Sequence, residues 1–456
     1  MLTPSIFKTY DIRAHYPDQL DEDGAYQVGR AYAQLLQSEN PGQKLIIGVS
    51  RDMRLSSESL KNKLIEGLID QGMDVVDFGL CSTPTFYFGV AYFKYQGGIQ
   101  VSASHNPKDD NGFKMVRARA VPISGESGIN TIRDVALSNQ FITPEFSKGQ
   151  VTSRNDVLDT LVKVLPQEWP VDFSIIKPFK IVVDAANSMG IIDITKMFEK
   201  LPCEIIKINF ELDGSFPSHQ ADPLNPENLV LAKQKIIETG ADMAIVPDGD
   251  ADRYFFIDEK GEEILQPIIR GIMAQLALKD HPGAAICYDI RPGRITRDMI
   301  ESVGGKASVT RVGHSLIKEQ MLKENAIFGG ESSGHYFYKL SCGTFETPFI
   351  LVWKFLEFVS QQNKVLSEIV APYRIYFHSG EINSTVADPK AKLEEIKQKY
   401  SDGQLNELDG VSIEYPDFWF NVRPSNTEPL LRLALEAKTK EIMEQKRDEL
   451  VALIRS

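Results

Sequence analysis

The run Lys44-Leu45-Ile46-Ile47-Gly48-Val49, followed by a helical pattern from Ser57 to Asp70 and then by Met73-Asp74-Val75-Val76-Asp77-Phe78, decides the class of fold. A short apolar run, a longer segment of helical period and a second apolar run make a βαβ unit, and its repetition builds a mainly parallel sheet. A further apolar strand, Gly98-Ile99-Gln100-Val101, leads into Ser104. Similar openings recur at Lys180-Ile181-Val182-Val183-Asp184-Ala185 and at Ala285-Ile286-Cys287-Tyr288-Asp289, so three α/β units in series are expected. The recurrence is of pattern, at periods too irregular for a solenoid. From Ile382 onward the pattern changes to an α+β unit: strands at Ile382 to Val386, Gly410 to Glu414 and Phe418 to Val422, helices at Pro389 to Lys399 and Lys438 to Arg455. Polar segments at Ser147 to Gln150, Asp258 to Gly261 and Ala371 to Tyr373 then divide the chain into expected α/β domains 1–148, 149–257 and 258–371 and an α+β domain 372–456.

A chain of 456 residues exceeds one ordinary core, in keeping with several domains. Its net charge of −13 disfavours nonspecific attachment to nucleic acid or to an anionic membrane, so an anionic substrate needs a local basic site. The cysteines at 81, 203, 287 and 342 form no CxxC pair, which argues against a zinc knot or disulfide framework and fits a reducing cytoplasm. Met1 to Lys8 has no apolar run of the signal-peptide kind. The most apolar window, Pro348 to Trp353, meets Lys354 and Glu357 well short of a membrane span and reads as a buried helix.

Four polar loops carry the chemistry. Val101-Ser102-Ala103-Ser104-His105-Asn106-Pro107 sets a hydroxyl beside an imidazole; a serine that accepts a phosphoryl group needs activation and a cation against the transferred charge. Taken alone, Ser104 with Pro107 three residues later could equally open a helix. Asp248-Gly249-Asp250-Ala251-Asp252-Arg253 offers three hard carboxylates within five residues, which suits Mg²⁺. A calcium loop is disfavoured: its sixth position is Arg253 where the turn needs glycine, and a strand-like Asp242 to Val246 precedes it. In Gly330-Glu331-Ser332-Ser333-Gly334-His335, an extended backbone would turn Glu331 and Ser333 to one side, apt for sugar hydroxyls. Arg423-Pro424-Ser425-Asn426-Thr427 combines a forked cation, two hydroxyls and an amide, apt for phosphate oxygens, although Pro-Ser-Asn is also turn chemistry.

In this order and at these separations the four loops resemble those of the α-D-phosphohexomutases, most closely the bacterial phosphomannomutase/phosphoglucomutase branch, over nearly the whole chain. The resemblance implies four domains around a central cleft and a Mg²⁺-dependent mutase that exchanges the 1- and 6-phosphates of glucose or mannose through a phosphoserine and a hexose 1,6-bisphosphate, which also serves as activator. Ser104 is then the phosphoserine and, with Asp248, Asp250 and Asp252, a metal ligand. His105, Lys114 and Arg13 are implied as catalytic, Lys114 as general acid or base. Tyr10, Arg253, Arg291, His314, Glu331, Ser333, His335, Arg423, Ser425, Asn426 and Thr427 are implied to hold substrate. The implied partner is a small phosphosugar, with neither nucleic acid nor membrane, and the enzyme is expected to be a monomer or homodimer. Ala14, where the family often has glycine, and Ser341-Cys342-Gly343, where it commonly has acidic residues, depart from the pattern and leave the choice of sugar open. The rivals are a phosphoglucosamine mutase, a metal-dependent sugar phosphatase and a noncatalytic sugar-phosphate binder. The phosphatase would normally need a histidine-rich two-metal site, and the seven histidines form no such cluster in sequence.

Overall fold

The computed structural model describes residues 2–424 and 430–456. They form two compact units, Met1–Ile264 with Ser333–Ser367, and Leu265–Ser332 with Glu368–Ser456.

In the first unit, a six-stranded sheet runs in the order Ile12–His15, Asp110–Arg117, Gly97–Val101, Ile46–Arg51, Asp74–Leu80, Val151–Ser153. Its first two pairings are antiparallel and the other three parallel. Gly97–Val101 is buried along its whole length, as a strand covered by helices on both faces must be. The helices Glu22–Glu39 and Ser57–Asp70 pack together on this sheet, and Thr83–Tyr92 starts at Ser82, whose hydroxyl accepts from the Thr85 amide. A second sheet, ordered Tyr254–Asp258, Met243–Pro247, Lys180–Asp184, Glu204–Ile208, is parallel except for its first pairing. The apolar window starting at Pro348 forms the helix Pro348–Gln361, with Phe349, Ile350, Leu351, Val352 and Trp353 all buried. Among the described residues no helix is long and apolar enough to cross a membrane.

The helix Gly190–Phe198 of this unit carries Asp193, fully buried and without a hydrogen-bond partner for either oxygen in acceptable geometry. Burial lifts its carboxyl from 3.8 to about 7, tempered by the neighbouring Ser82 hydroxyl. A carboxyl whose pKa rises on folding takes up a proton, so stability is greatest below its unfolded value and declines as pH climbs toward its folded one. Urea unfolding should therefore show the wild type losing about 2 to 3 kcal/mol relative to Asp193→Asn between pH 5 and 7. Parallel pH profiles for the two proteins would refute this.

In the second unit, Lys306–Thr310, Ala285–Asp289 and Phe328–Gly330 pair in parallel. The C-terminal part is a five-stranded antiparallel sheet in the order Phe377–Thr385, Leu430–Ala437, Phe418–Pro424, Val411–Glu414, Gln404–Asn406. Its apolar side, with Ile413, Phe420, Val422, Leu433 and Leu435, packs on the helices Pro389–Lys399 and Lys440–Arg455, which close the core through Ile396, Leu450 and Ile454. Its opposite side is polar and is tied to the helix Arg294–Ser302. Glu436 accepts from the amides of Gly293 and Arg294 at 2.9 and 3.3 Å, and Arg297 pairs with Glu414 at 3.0 Å. A carboxylate at a helix N-terminus meets its unpaired amides and the positive end of its dipole.

Candidate active site

The strand Gly97–Val101 ends at a tight turn in which Ser104 adopts a left-handed φ of 51°. No helix starts at Ser104; the Ser102 hydroxyl accepts from its amide at 2.9 Å instead. The strand Met243–Pro247 likewise ends at Asp248, so both loops leave the carboxyl ends of strands, the usual place for ligand loops in open α/β sheets. What brings them together is Gly249. A Cβ there would lie 2.2 Å from the Ser104 carbonyl oxygen, so any larger residue would force the loops apart.

The resulting contact sets Ser104 Oγ 3.1 Å from Asp248 Oδ2, across 144 residues of sequence, and 3.2 Å from His105 Nδ1. Asp248 Oδ1 accepts from the amides of Asp252 and Arg253, which aims Oδ2 at the serine. Asp250 and Asp252 face Lys114 Nζ at 2.5 and 2.6 Å, and Thr83 at the start of its helix donates to Asp250 at 2.5 Å. His335 reaches Asp252 at 3.1 Å through Nε2 and Ser333 Oγ at 3.0 Å through Nδ1. Arg13 pairs with Asp11 at 2.8 Å, and Tyr10 lies just before the strand Ile12–His15.

The three aspartates are buried, and their ligand oxygens lie within 4.8 Å of one another. Burial, then Asp252 and Asp250, push the Asp248 carboxyl well above the usual carboxylate range. Burial works against Asp252 too, but Lys114, His335 and Arg253 outweigh it and hold its carboxyl well below that range. Buried Asp250 Oδ1 has no hydrogen-bond partner. An oxygen-only donor set with an excess of negative charge and an orphaned carboxylate oxygen fits a hard divalent cation. Lys114 is desolvated, yet Asp250 and Asp252 raise its pKa well above the ordinary lysine value, so it is an ammonium that holds its proton. His105 is the reverse: burial, then Arg253 and Arg13, keep its imidazole neutral well below the ordinary histidine range.

In the second unit, Glu331 Oε1 accepts from the Gly313 amide at 2.9 Å, next to His314 at the start of the helix His314–Glu324. Arg291 Nη2 lies 3.9 Å from Glu331, and Arg291 Nε donates to Asp289 at 2.7 Å. Arg423, at the end of its strand, pairs with Glu381 at 2.6 Å, a carboxylate that Arg432 approaches at 3.4 Å. Two guanidiniums on one carboxylate leave a net positive charge at the strand end. Ser425, Asn426 and Thr427 lie outside the described residues.

Sequence reasoning missed Arg54. This residue is 1% exposed and sits behind the Ser104 loop, donating to the carbonyls of Ser104 (2.8 Å), Asn106 (2.6 Å), Pro107 (2.5 Å) and Asp110 (2.9 Å), with Asp52 3.3 Å from its Nε. The only signal was Asp52-Met53-Arg54 between a strand and the helix Ser57–Asp70, which reads as an ordinary polar turn.

Four family descriptions match in series: phosphoglucomutase/phosphomannomutase α/β/α domain I at residues 4–143, domain II at 162–261, domain III at 261–376 and the C-terminal domain at 381–453. A phosphomannomutase of Vibrio cholerae is 38% identical over 98% of this chain and 98% of its own. A protein of Xanthomonas campestris pv. campestris named phosphohexose mutases is 37% identical over the full length of both. Among solved structures, a phosphoglucomutase/phosphomannomutase family protein from Burkholderia thailandensis superposes with a TM-score of 0.89 at 30% identity, covering 99% of this chain and 97% of that one.

Proposed function

Because the chain belongs to the phosphoglucomutase/phosphomannomutase family and is a phosphohexose mutase, we propose that it moves a phosphoryl group between the 1- and 6-oxygens of glucose or mannose through a phosphoserine at Ser104 and a hexose 1,6-bisphosphate. The observation that carries the reading is the buried Ser104 hydroxyl held between a neutral imidazole and Asp248. In the transfer that restores the phosphoenzyme, the Oγ–P bond forms, the bond from phosphorus to the sugar oxygen breaks, the serine proton passes to His105 Nδ1, and the departing sugar oxygen takes up a proton from solvent water. Transfer outward runs these events in reverse. Lys114 is a fixed positive charge, since an ammonium with a raised pKa exchanges its proton poorly at neutral pH. Asp248, Asp250, Asp252 and the Ser104 oxygen would hold Mg²⁺, which supplies charge against the phosphoryl oxygens.

For the sugar, Glu331, Ser333 and His335 offer acceptors and donors to the hydroxyls. Tyr10, Arg13, Arg253, Arg291, His314 and the segment beginning at Arg423, with Ser425, Asn426 and Thr427, are assigned to the substrate's remaining oxygens and phosphate. Purified protein given mannose or glucose 1-phosphate, Mg²⁺ and a trace of bisphosphate should yield the 6-phosphate, and exhaustive chelation should slow it by about a hundredfold or more. Release of inorganic phosphate would instead identify a phosphatase, and no product a binding protein. A clear preference for glucosamine phosphate in kcat/KM would make it a phosphoglucosamine mutase.

A further inference from the structure

Residues 209–222 connect the strand Glu204–Ile208 of the second sheet to the short helix Pro226–Leu229 and contribute no strand to either sheet. Instead they lie as a strap across the back of the Ser104 loop. Gly214 makes this approach possible, since a Cβ there would be 2.4 Å from the Met53 carbonyl oxygen and 2.7 Å from the Arg54 Cα. Two residues on, the Phe216 ring covers the Arg54 guanidinium, 5.0 Å from its centroid, on the far side of the group that gathers the carbonyls of Ser104, Asn106 and Pro107. The one carbonyl in this run that Arg54 does not take, that of His105, accepts from Gln220 Nε2 at 2.6 Å. The next residue, Ala221, accepts from the amide of Gly249 at 3.1 Å. The strap therefore binds both the serine loop and the aspartate loop whose contact sets Ser104 against Asp248.

Its own anchor is His219. This ring bridges two acceptors, Asp184 Oδ2 at 3.1 Å through Nε2 and the carbonyl of Gln220 at 2.9 Å through Nδ1. Asp184 is fully buried and held in turn by the Ala186 amide and Asn209. We propose that His219 is a positioning residue for the phosphoryl-transfer reaction: as an imidazolium it fixes the strap, and through Gln220 and Ala221 it fixes the serine loop and the aspartate loop relative to each other. The inference rests on Ser104 being the nucleophile.

An imidazolium donates from both nitrogens, whereas a neutral imidazole donates from one, so with two acceptors facing it the neutral ring must leave one unmet. Burial lowers the pKa of His219, but Asp184 and the Gln220 carbonyl outweigh it and leave the pKa above the ordinary histidine value. Asp184 is the one charged group set against the ring among the described residues. A base whose pKa rises on folding contributes fully at low pH and loses its contribution as pH climbs through the folded value. The strap is thus tight at low pH and loosens as pH climbs through the raised pKa of His219.

Amide exchange of the intact protein without substrate tests the strap directly, because the Asn106 amide bonds to the Ala103 carbonyl inside the clamped turn. In wild type, protection at Asn106 should fall with rising pH beyond the intrinsic acceleration of exchange. In His219→Gln it should be lower by roughly tenfold and lose that pH dependence. Gln220→Leu, an exposed change that leaves the imidazole in place, should lower protection to a similar degree. The same variants should lose about tenfold in kcat with little change in KM, since the loop and not the sugar contacts is disturbed. Wild-type protection and pH dependence in both variants would overturn the proposal. A wild type that lacks mutase turnover while its exchange responds as described would uphold the strap and overturn the mutase reading; normal turnover with unresponsive exchange would do the opposite.

Discussion

Replacing Ser104 with alanine is expected to reduce mutase turnover by about a thousandfold or more, because on the proposed mechanism the change removes the atom that carries the phosphoryl group between the two transfers. The fold should survive, with metal held more weakly by the three aspartates once the Ser104 oxygen is gone. The side chain is buried but small, its amide keeps the bond to Ser102, and Asp248 Oδ1 stays tied to the Asp252 and Arg253 amides. Intact-mass measurement should show a phosphate adduct on wild type that is absent from Ser104→Ala and that fragments to the peptide holding Ser104. An adduct on any other residue, or a variant with near-normal turnover, would end the assignment.

A loss nearly as large is expected at a residue that need not touch substrate. Arg54→Met keeps a long apolar stem but leaves the carbonyls of Ser104, Asn106, Pro107 and Asp110 without this donor and strips buried Asp52 of its guanidinium. Removing one partner of a buried ion pair typically costs about 3 to 5 kcal/mol. Turnover should fall by roughly a hundredfold or more as Ser104, the proposed nucleophile, loses its fixed place, since small displacements of a reacting group are costly. Arg54→Lys should rescue little: an ammonium has three donors at one point, whereas the guanidinium spreads five along a planar fork. Thermal unfolding and kcat measured together on both variants check this. Unchanged melting and turnover within twofold in Arg54→Met would show that the loop holds its shape without the cation.

Alternation of short apolar runs with helical segments was enough to expect the parallel sheets, because strands buried on both faces are mostly apolar, as Gly97–Val101 and Ala285–Asp289 are apart from Gln100 and Asp289. The strand Leu430–Ala437 was not legible. Its sequence, LLRLALEA, is rich in helix formers, and it becomes a strand because it is paired on both edges, with Phe377–Thr385 and Phe418–Pro424. Gln404–Asn406 escaped notice because three exposed residues at a sheet edge carry no pattern. At the site, a hydroxyl beside an imidazole and three clustered carboxylates could be read from residue type and spacing, whereas their meeting was expected from the resemblance alone, since it depends on backbone packing at Gly249. Arg54 was hidden for a related reason: its bonds go to carbonyls, which every residue has, so no motif advertises its partners.

The strap also bears on when, during synthesis, a working site can exist. Chains emerge from the ribosome N-terminus first, and domains generally fold as they appear. The residues of the first sheet are largely made by the time Val151–Ser153 is added, yet the serine turn is still without Phe216 against Arg54, Gln220 against His105 and Gly249 against its carbonyl. Ser104 can settle only once more than a hundred further residues have been translated and the second sheet has closed on them. The nascent chain therefore carries Ser104 unset for most of that interval, and the portion of the gene that encodes the serine does not by itself encode its geometry.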